Sequence, residues 1–370
     1  MIVDRIQLPA AAPGVQHCLH VWRFGTAGAH PRAYVQGGLH ADEAPGMMAA
    51  HELCRVLQRE EEAGRVLGEV VVVPVANPPG GFQRMMGGHV GRFDLADGRN
   101  WNRHYPALWH GATARLQGKL GGDAAVNTGL IRAALQATLE AEHPAAPADQ
   151  LRHSLLRLAL SADMVLDLHC DGEALMHLYT LPQLAGHFDP LARLLGARTV
   201  LLAEESGDDP FDESLSRPWV EIARAFPDMP VPLGCAAVTV ELRGRADTDP
   251  ATLAGDAEAL AGALAHAGVL AEPPALPAAL CRPTPFAGSE PLVVPQAGVL
   301  AFHASVGATV RRGDLVAEVI DPATGHRAPV SSPTDGLLFA RTGARIVWAG
   351  QRVGKVAGST ATRTGKLLSA

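Results

Sequence analysis

The chain has 370 residues, 47% hydrophobic and 19% charged, with a formal net charge of -7. This is the composition of a soluble globular protein, and the length exceeds the usual single-core size, so two domains are expected. No basic tract with interleaved aromatics points to nucleic acid, no run of about 18 apolar residues points to a membrane span, and no signal peptide is expected from Met1-Ile2-Val3-Asp4-Arg5, which lacks an apolar h-region.

Residues 2–8 and 17–24 read as strands joined by an Ala/Pro/Gly turn, and 33–39 as a buried strand. A helix is predicted over 46–62, because Met47, Ala50, Leu53, Cys54 and Leu57 recur at helical spacing and Pro45 suits a first turn. The acidic run Glu60-Glu61-Glu62 closes it as a solvated face. The β-branched run 69–75 suits a strand covered on both faces, and Asn77-Pro78-Pro79-Gly80-Gly81 ends it in a turn. Segment 80–106 is polar, Gly-rich and aperiodic, and loops of that length in an enzyme are usually functional.

Residues 125–160 read as helical with a Pro-rich break at 144–147, and 162–169 as a third buried strand. Further strands are expected near 175–181 and 197–203 and over 236–242, then a helix at 250–268. This alternation predicts an α/β fold, a mostly parallel mixed sheet flanked by helices. Past residue 271 the pattern changes. A Pro-rich linker at 272–277 precedes short β segments (290–294, 298–303, 315–320, 335–341, 345–348, 352–356) with glycine at the bends, the mark of a small all-β domain. The expected division is a catalytic domain over 1–272 and a β domain over 276–370. The five cysteines are scattered and form no Cys-x-x-Cys pair, so neither a disulfide framework nor a thiolate zinc site is indicated, and a cytoplasmic location is the default expectation.

Three strand ends carry ionisable groups. His40 and Glu43 follow the first buried strand, His169 closes Asp167-Leu168-His169, and Glu241 stands in Val238-Thr239-Val240-Glu241-Leu242. Taken singly, each has an ordinary reading: a loop histidine with a helix-start carboxylate, a core histidine, a glutamate paired with an arginine. Together they supply a zinc site. His40, His169 and Glu43 are three ligands that leave a fourth position open, and Glu241 would be the base. In the long loop, arginine can clamp a carboxylate with two parallel hydrogen bonds or stabilise an oxyanion, whereas Arg99 reads as a surface charge.

The blocks Gly38-Leu39-His40-Ala41-Asp42-Glu43, Asn77-Pro78, Asn100-Trp101-Asn102-Arg103-His104-Tyr105-Pro106, Asp167-Leu168-His169 and Val240-Glu241 resemble the succinylglutamate desuccinylase/aspartoacylase branch of the zinc carboxypeptidase superfamily. They occur in the family's order over roughly residues 30–270. The resemblance implies a zinc carboxypeptidase-like fold and one Zn2+ per chain on His40, Glu43 and His169, with Glu241 as general base. It implies that Asn102 and Arg103 hold a substrate carboxylate and that the further active-site arginine is Arg92, with Arg84 the runner-up. The family's Asp-Leu-Asn-Arg is Asn-Trp-Asn-Arg here, which would pass the acidic role to Asp97. Asp167 would orient the His169 imidazole.

Residues 276–370 resemble the barrel-sandwich domain of some bacterial members, similar to biotinyl/lipoyl domains. The expected hairpin tip, 321–325, lacks a lysine, which implies a structural, gating or oligomerising role rather than cofactor carriage. The implied activity is hydrolysis of the amide bond of a small-molecule N-acylated amino acid. Carboxypeptidase action on short peptides, or a non-catalytic metal- or ligand-binding module, are the alternatives. Neither a nucleic-acid nor a membrane partner is expected, and homo-oligomerisation is left open.

Overall fold

The computed structural model describes residues 1–368. Among them, nine strands form one mixed sheet in the order Ile2–Gln7, Cys18–Gly25, Glu69–Val73, Arg32–Gly37, Met164–Asp171, Ala236–Gly244, His177–Thr180, Thr199–Leu202, Thr284–Pro285. The four central strands, from Glu69–Val73 to Ala236–Gly244, run parallel to their neighbours. Their apolar side chains are buried on both faces, as continuous β-branched runs require. Antiparallel pairs flank this core, Cys18–Gly25 against Glu69–Val73 on one side and His177–Thr180 against Ala236–Gly244 on the other.

Helices cover both faces. Ala44–Glu62 and Pro250–His266 pack into one apolar cluster with Val35, Val72, Leu166 and Val238. Ala124–Glu140, Pro147–Ala159 and Phe211–Ala225 pack into the other with Tyr34, Val71, Val165 and Ala237.

The helical stretch breaks between Glu140 and Pro147, as its prolines require. The segment expected to be structureless holds a short helix, Pro78–Phe82, and a hairpin of Arg84–Met85 with Gly88–His89. Two further helices, Trp109–Leu116 and Phe211–Ala225, are absent from the sequence reading. The second contains Pro218, which masks its period.

Past the main sheet, two smaller sheets enclose a common apolar cluster that includes Leu292, Val319, Val330, Leu338 and Val353. One follows the order Ser289–Val293, Arg352–Ala357, Gly336–Arg341, Thr309–Val310; the other, Arg327–Ser331, Leu315–Ile320, Gly298–Phe302, Ile346–Val347. The two units exchange strands. Glu173–Ala174 pairs with Gly336–Arg341, while Thr284–Pro285 joins the main sheet beside Thr199–Leu202. Leu201, Phe286, Phe339 and Leu367 fill the joint. At the 321–325 tip, Asp321 accepts a hydrogen bond from the Thr324 hydroxyl (2.7 Å). No described helix is long and apolar enough to cross a membrane.

Candidate metal centre and its cavity

The parallel strands Arg32–Gly37, Met164–Asp171 and Ala236–Gly244 end at one edge of the sheet, where open α/β sheets bind ligands. Register sets Gly37 beside Leu168 and Glu241 beside His169. Alternation along Met164–Asp171 places Asp167, His169 and Asp171 on one face. His40 and Glu43 lie in the tight connection before helix Ala44–Glu62. Two glycines allow that helix to press against the strands. A Cβ on Gly37 would stand 2.3 Å from the Gly46 carbonyl oxygen, and one on Gly46 would stand 2.4 Å from that of Leu168.

His40, Glu43 and His169 are brought together and buried, with potential ligand atoms all within 4.8 Å of one another. Glu43 Oε1 lies 3.0 Å from His40 Nδ1, and Glu43 Oε2 lies 2.8 Å from His169 Nδ1. The Cys170 N–H donates to Glu43 Oε2 (3.1 Å), so strand backbone fixes the carboxylate.

The far ring nitrogens test whether this set suits a metal. His40 Nε2 stands 2.8 Å from Asn100 Oδ1. His169 Nε2 stands 3.0 Å from Asp167 Oδ2, its nearer partner than the Asn102 amide at 3.3 Å. Both oxygens can only accept, which places the ring protons on Nε2 and turns both Nδ1 lone pairs toward an anionic carboxylate. Each such contact calls for positive charge beside it, a second ring proton, a guanidinium such as Arg92, which lies 3.3 Å from His40 Nδ1, or a metal ion. The donor set, two imidazoles and a carboxylate, fits zinc. The two rings differ in how strongly their surroundings draw positive charge. Burial opposes a charge on His169, yet Asp167 and Glu43 push it well above the usual imidazole value. Burial, with the Arg92 guanidinium nearby, lowers His40 to about 4. For Glu43, burial acts upward, but the two imidazoles hold it well below the carboxylate range.

Beside this trio opens a cavity of about 970 Å³, lined by His40, Arg92, Asn102, Arg103, His169 and Glu241 from the α/β part and by Arg341, Trp348 and Lys355 from the β part. Burial, with Glu43 and Asp171 near, raises Glu241 to about 7, and its Oε2 has no hydrogen-bond partner among the described residues. Arg92 Nη1 donates to Glu43 Oε1 (3.1 Å). Arg84 instead donates to the main-chain carbonyls of Gly81 (2.9 Å) and Gln83 (3.0 Å), and does not line the cavity. Asn102 Oδ1 accepts from the Phe211 N–H (2.9 Å), and Arg103 Nη1 donates to the Asn102 carbonyl (2.6 Å). Burial lowers the Arg103 guanidinium to about 10.

Asp97 takes no part: its carboxylate accepts from Arg99 (2.5 Å), which also bonds Asp149. The oxygen on His40 belongs to Asn100, a residue sequence reasoning missed although it opens the same Asn-x-Asn-Arg block. Asp171 and Lys355 were missed too. Lys355 Nζ lies 2.5 Å from Asp171 Oδ2, so the β part closes one wall of the cavity with a cation. Nothing local in Val353-Gly354-Lys355-Val356 signals this, because the contact spans 184 positions.

Residues 29–121 match the family model described as the succinylglutamate desuccinylase/aspartoacylase catalytic domain. Among solved structures, the chain is similar to a succinylglutamate desuccinylase/aspartoacylase family protein from Shewanella amazonensis. Identity is 25% and TM-score 0.83, over 96% of this chain and 98% of that one. A counterpart from Shewanella frigidimarina is similar at 24% identity and TM-score 0.83, over 96% and 97%. The product-bound ectoine utilization protein EutE (DoeB) from Ruegeria pomeroyi is similar at 20% identity and TM-score 0.69, over 97% and 95%; these last two likenesses speak to the fold alone. Comparison with curated proteins yields no match.

Proposed function

We propose that this chain, which resembles the succinylglutamate desuccinylase/aspartoacylase catalytic domain over residues 29–121, is a zinc-dependent hydrolase that cleaves the linear amide bond of an N-acylated amino acid. The observation that carries this reading is the Glu43 carboxylate set between two Nδ1 atoms, at the floor of a cavity lined by an acid with a free oxygen, Glu241. Zinc on His40, Glu43 and His169 would supply Lewis acidity, polarising the amide carbonyl and making water easier to deprotonate.

The remaining work falls to side chains of this chain. Glu241, raised to about 7, takes the proton of the attacking water and passes it to the departing amine nitrogen. Arg92 lines the cavity beside Glu43 and balances the charge that develops on the carbonyl oxygen. Arg103 and Asn102 hold the carboxylate of the amino acid, the guanidinium through paired hydrogen bonds. The wall contributed by Arg341, Trp348 and Lys355 narrows the cavity and favours a small substrate over a polypeptide.

The test is a panel of N-acetyl and N-succinyl amino acids offered to zinc-loaded and chelator-stripped enzyme. Release of the carboxylic acid only with metal is expected. No release from any member of the panel by metal-replete protein would refute the reading.

A further inference from the structure

The strand that carries Glu241 is irregular just past that residue. Strand Ala236–Gly244 pairs Glu241 with His169 and Gly244 with Asp171, so it uses one residue more than its neighbour over this step. The extra residue makes a β-bulge, a device that re-aims side chains. Val238, Val240 and Leu242 point into the apolar cluster shared with helix Pro250–His266, whereas Thr239 and Glu241 line the cavity on the other face. Strict alternation would send Arg243 to the cavity as well. Instead its backbone takes φ 61°, a left-handed conformation that a long side chain rarely adopts, and its guanidinium reaches Asp256 on the helix.

An ion pair holds this turn of the chain. Asp256 stands in the apolar stripe of helix Pro250–His266, with Leu253, Ala257 and Leu260, and is 6% exposed. A carboxylate there is costly unless a cation meets it. Arg243 meets both of its oxygens, Nη1 donating to Oδ1 at 3.1 Å and Nη2 to Oδ2. Beyond the bulge the Arg245 N–H donates to the Gly172 carbonyl (3.1 Å), which returns the strand to its neighbour. The Glu241 carboxyl is not tied at Oε2, which has no hydrogen-bond partner among the described residues. Its aim therefore comes from the backbone beneath it.

We propose that Arg243, locked to Asp256, is a positioning residue that fixes the bulge and so holds the Glu241 carboxyl over the cavity. This rests on the deacylase reading above, in which Glu241 is the base. Neither member of the pair lines the cavity, so the pair acts through the strand and not on the substrate. With the pair broken, nothing compels the left-handed backbone at Arg243, and its relaxation shifts the strand end on which Glu241 sits. A misplacement of about 1 Å in a reacting group can cost about a hundredfold in rate.

The experiment joins kinetics to a crystal structure. Asp256→Asn removes the charge, and Arg243→Gly removes the guanidinium while suiting the left-handed backbone, so one serves if the other folds poorly. Glu258→Gln, which breaks the exposed pair of Arg59 with the same helix, is the control. On the N-acyl amino acid that the zinc-loaded wild type cleaves best, the first two should lower kcat about tenfold to a hundredfold, with KM and zinc content within about twofold of wild type. The control should match wild type. In a Glu241→Gln background, Asp256→Asn should lower the residual kcat no further, because the base it positions is gone. Crystals of Asp256→Asn should show Arg243 outside the left-handed region and the Glu241 carboxyl displaced by about 1 Å or more. Unaltered kcat in a folded variant, an equal loss in the Glu241→Gln background, or an unmoved Glu241 carboxyl would each overturn the proposal. Should the wild type cleave no member of the panel, the deacylase falls, and the displacement of Glu241 alone decides the positioning role.

Discussion

His169 Nδ1 and Glu43 Oε2 stand 2.8 Å apart although 126 positions separate them in the chain. They meet because parallel pairing sets Gly37 beside Leu168, and because the helix that follows Glu43 starts flush against that pair. The carboxylate is also bonded by the Cys170 N–H, so neither partner can move without disturbing the strand.

Metal binding should follow this contact. His169→Ala should lower zinc content well below one ion per chain. Asp167→Asn, which weakens the acceptor on Nε2, should reduce zinc affinity about tenfold to a hundredfold. Competition with a chromogenic chelator measures both. Unchanged metal content in His169→Ala would mean that another residue is the third ligand.

Glu241→Gln is nearly isosteric and removes only the base. Zinc content should stay near that of the wild type while kcat falls by about two to four orders of magnitude. Near-normal turnover would remove Glu241 from the mechanism.

Arg103→Ala should discriminate among substrates. Loss of a charge-assisted pair should raise KM for N-acyl amino acids about tenfold or more. Amides of the same acyl group without the carboxylate should change much less. Equal losses on both would argue against the clamp.

Gly46→Ala tests how closely the helix must approach. The added methyl would lie 2.4 Å from the Leu168 carbonyl oxygen, next to His169. A cost of about 1–3 kcal/mol in unfolding free energy is expected. Zinc affinity should fall with it, since the helix carries Glu43 away from the strand. Full stability in a urea titration would show that the helix shifts freely.

Stability should depend on pH through Glu213. Its carboxyl, ordinarily near 4.5, is raised by burial and Asp212 to about 8. Between those values the folded protein keeps a proton that the unfolded chain releases. Stability is therefore fullest below the lower value and declines as pH rises through the upper one. Asp212, raised from 3.8 to about 6, acts with the same sign over its own range. Urea midpoints at about pH 5.5 and about pH 8.5 should show the decline, and Glu213→Gln should flatten it. A midpoint that climbs with pH in both proteins would contradict this.

Much of the frame is legible along the chain. The run Val70 to Val73 has no polar face, which suits only a strand covered on both sides, and His40, Glu43, His169 and Glu241 interrupt or end such apolar runs. What is hidden depends on approach through space. Asn100 has the look of a loop residue until His40 Nε2 arrives 2.8 Å away. Asp212 and Glu213 read as a polar pair beside Pro210, and Pro218 conceals the helix that buries them. Lys355 sits in a glycine-rich β segment and gains its significance only from Asp171.

The traded strands have a practical corollary. With Glu173–Ala174 lent to one unit and Thr284–Pro285 to the other, severing the chain in the Pro-rich connector would strip each half of a rung and bare Leu201, Phe286 and Phe339. Chimaeras that graft the C-terminal portion onto a related enzyme should therefore carry both crossings, or the recombinants will associate through their open edges instead of folding alone.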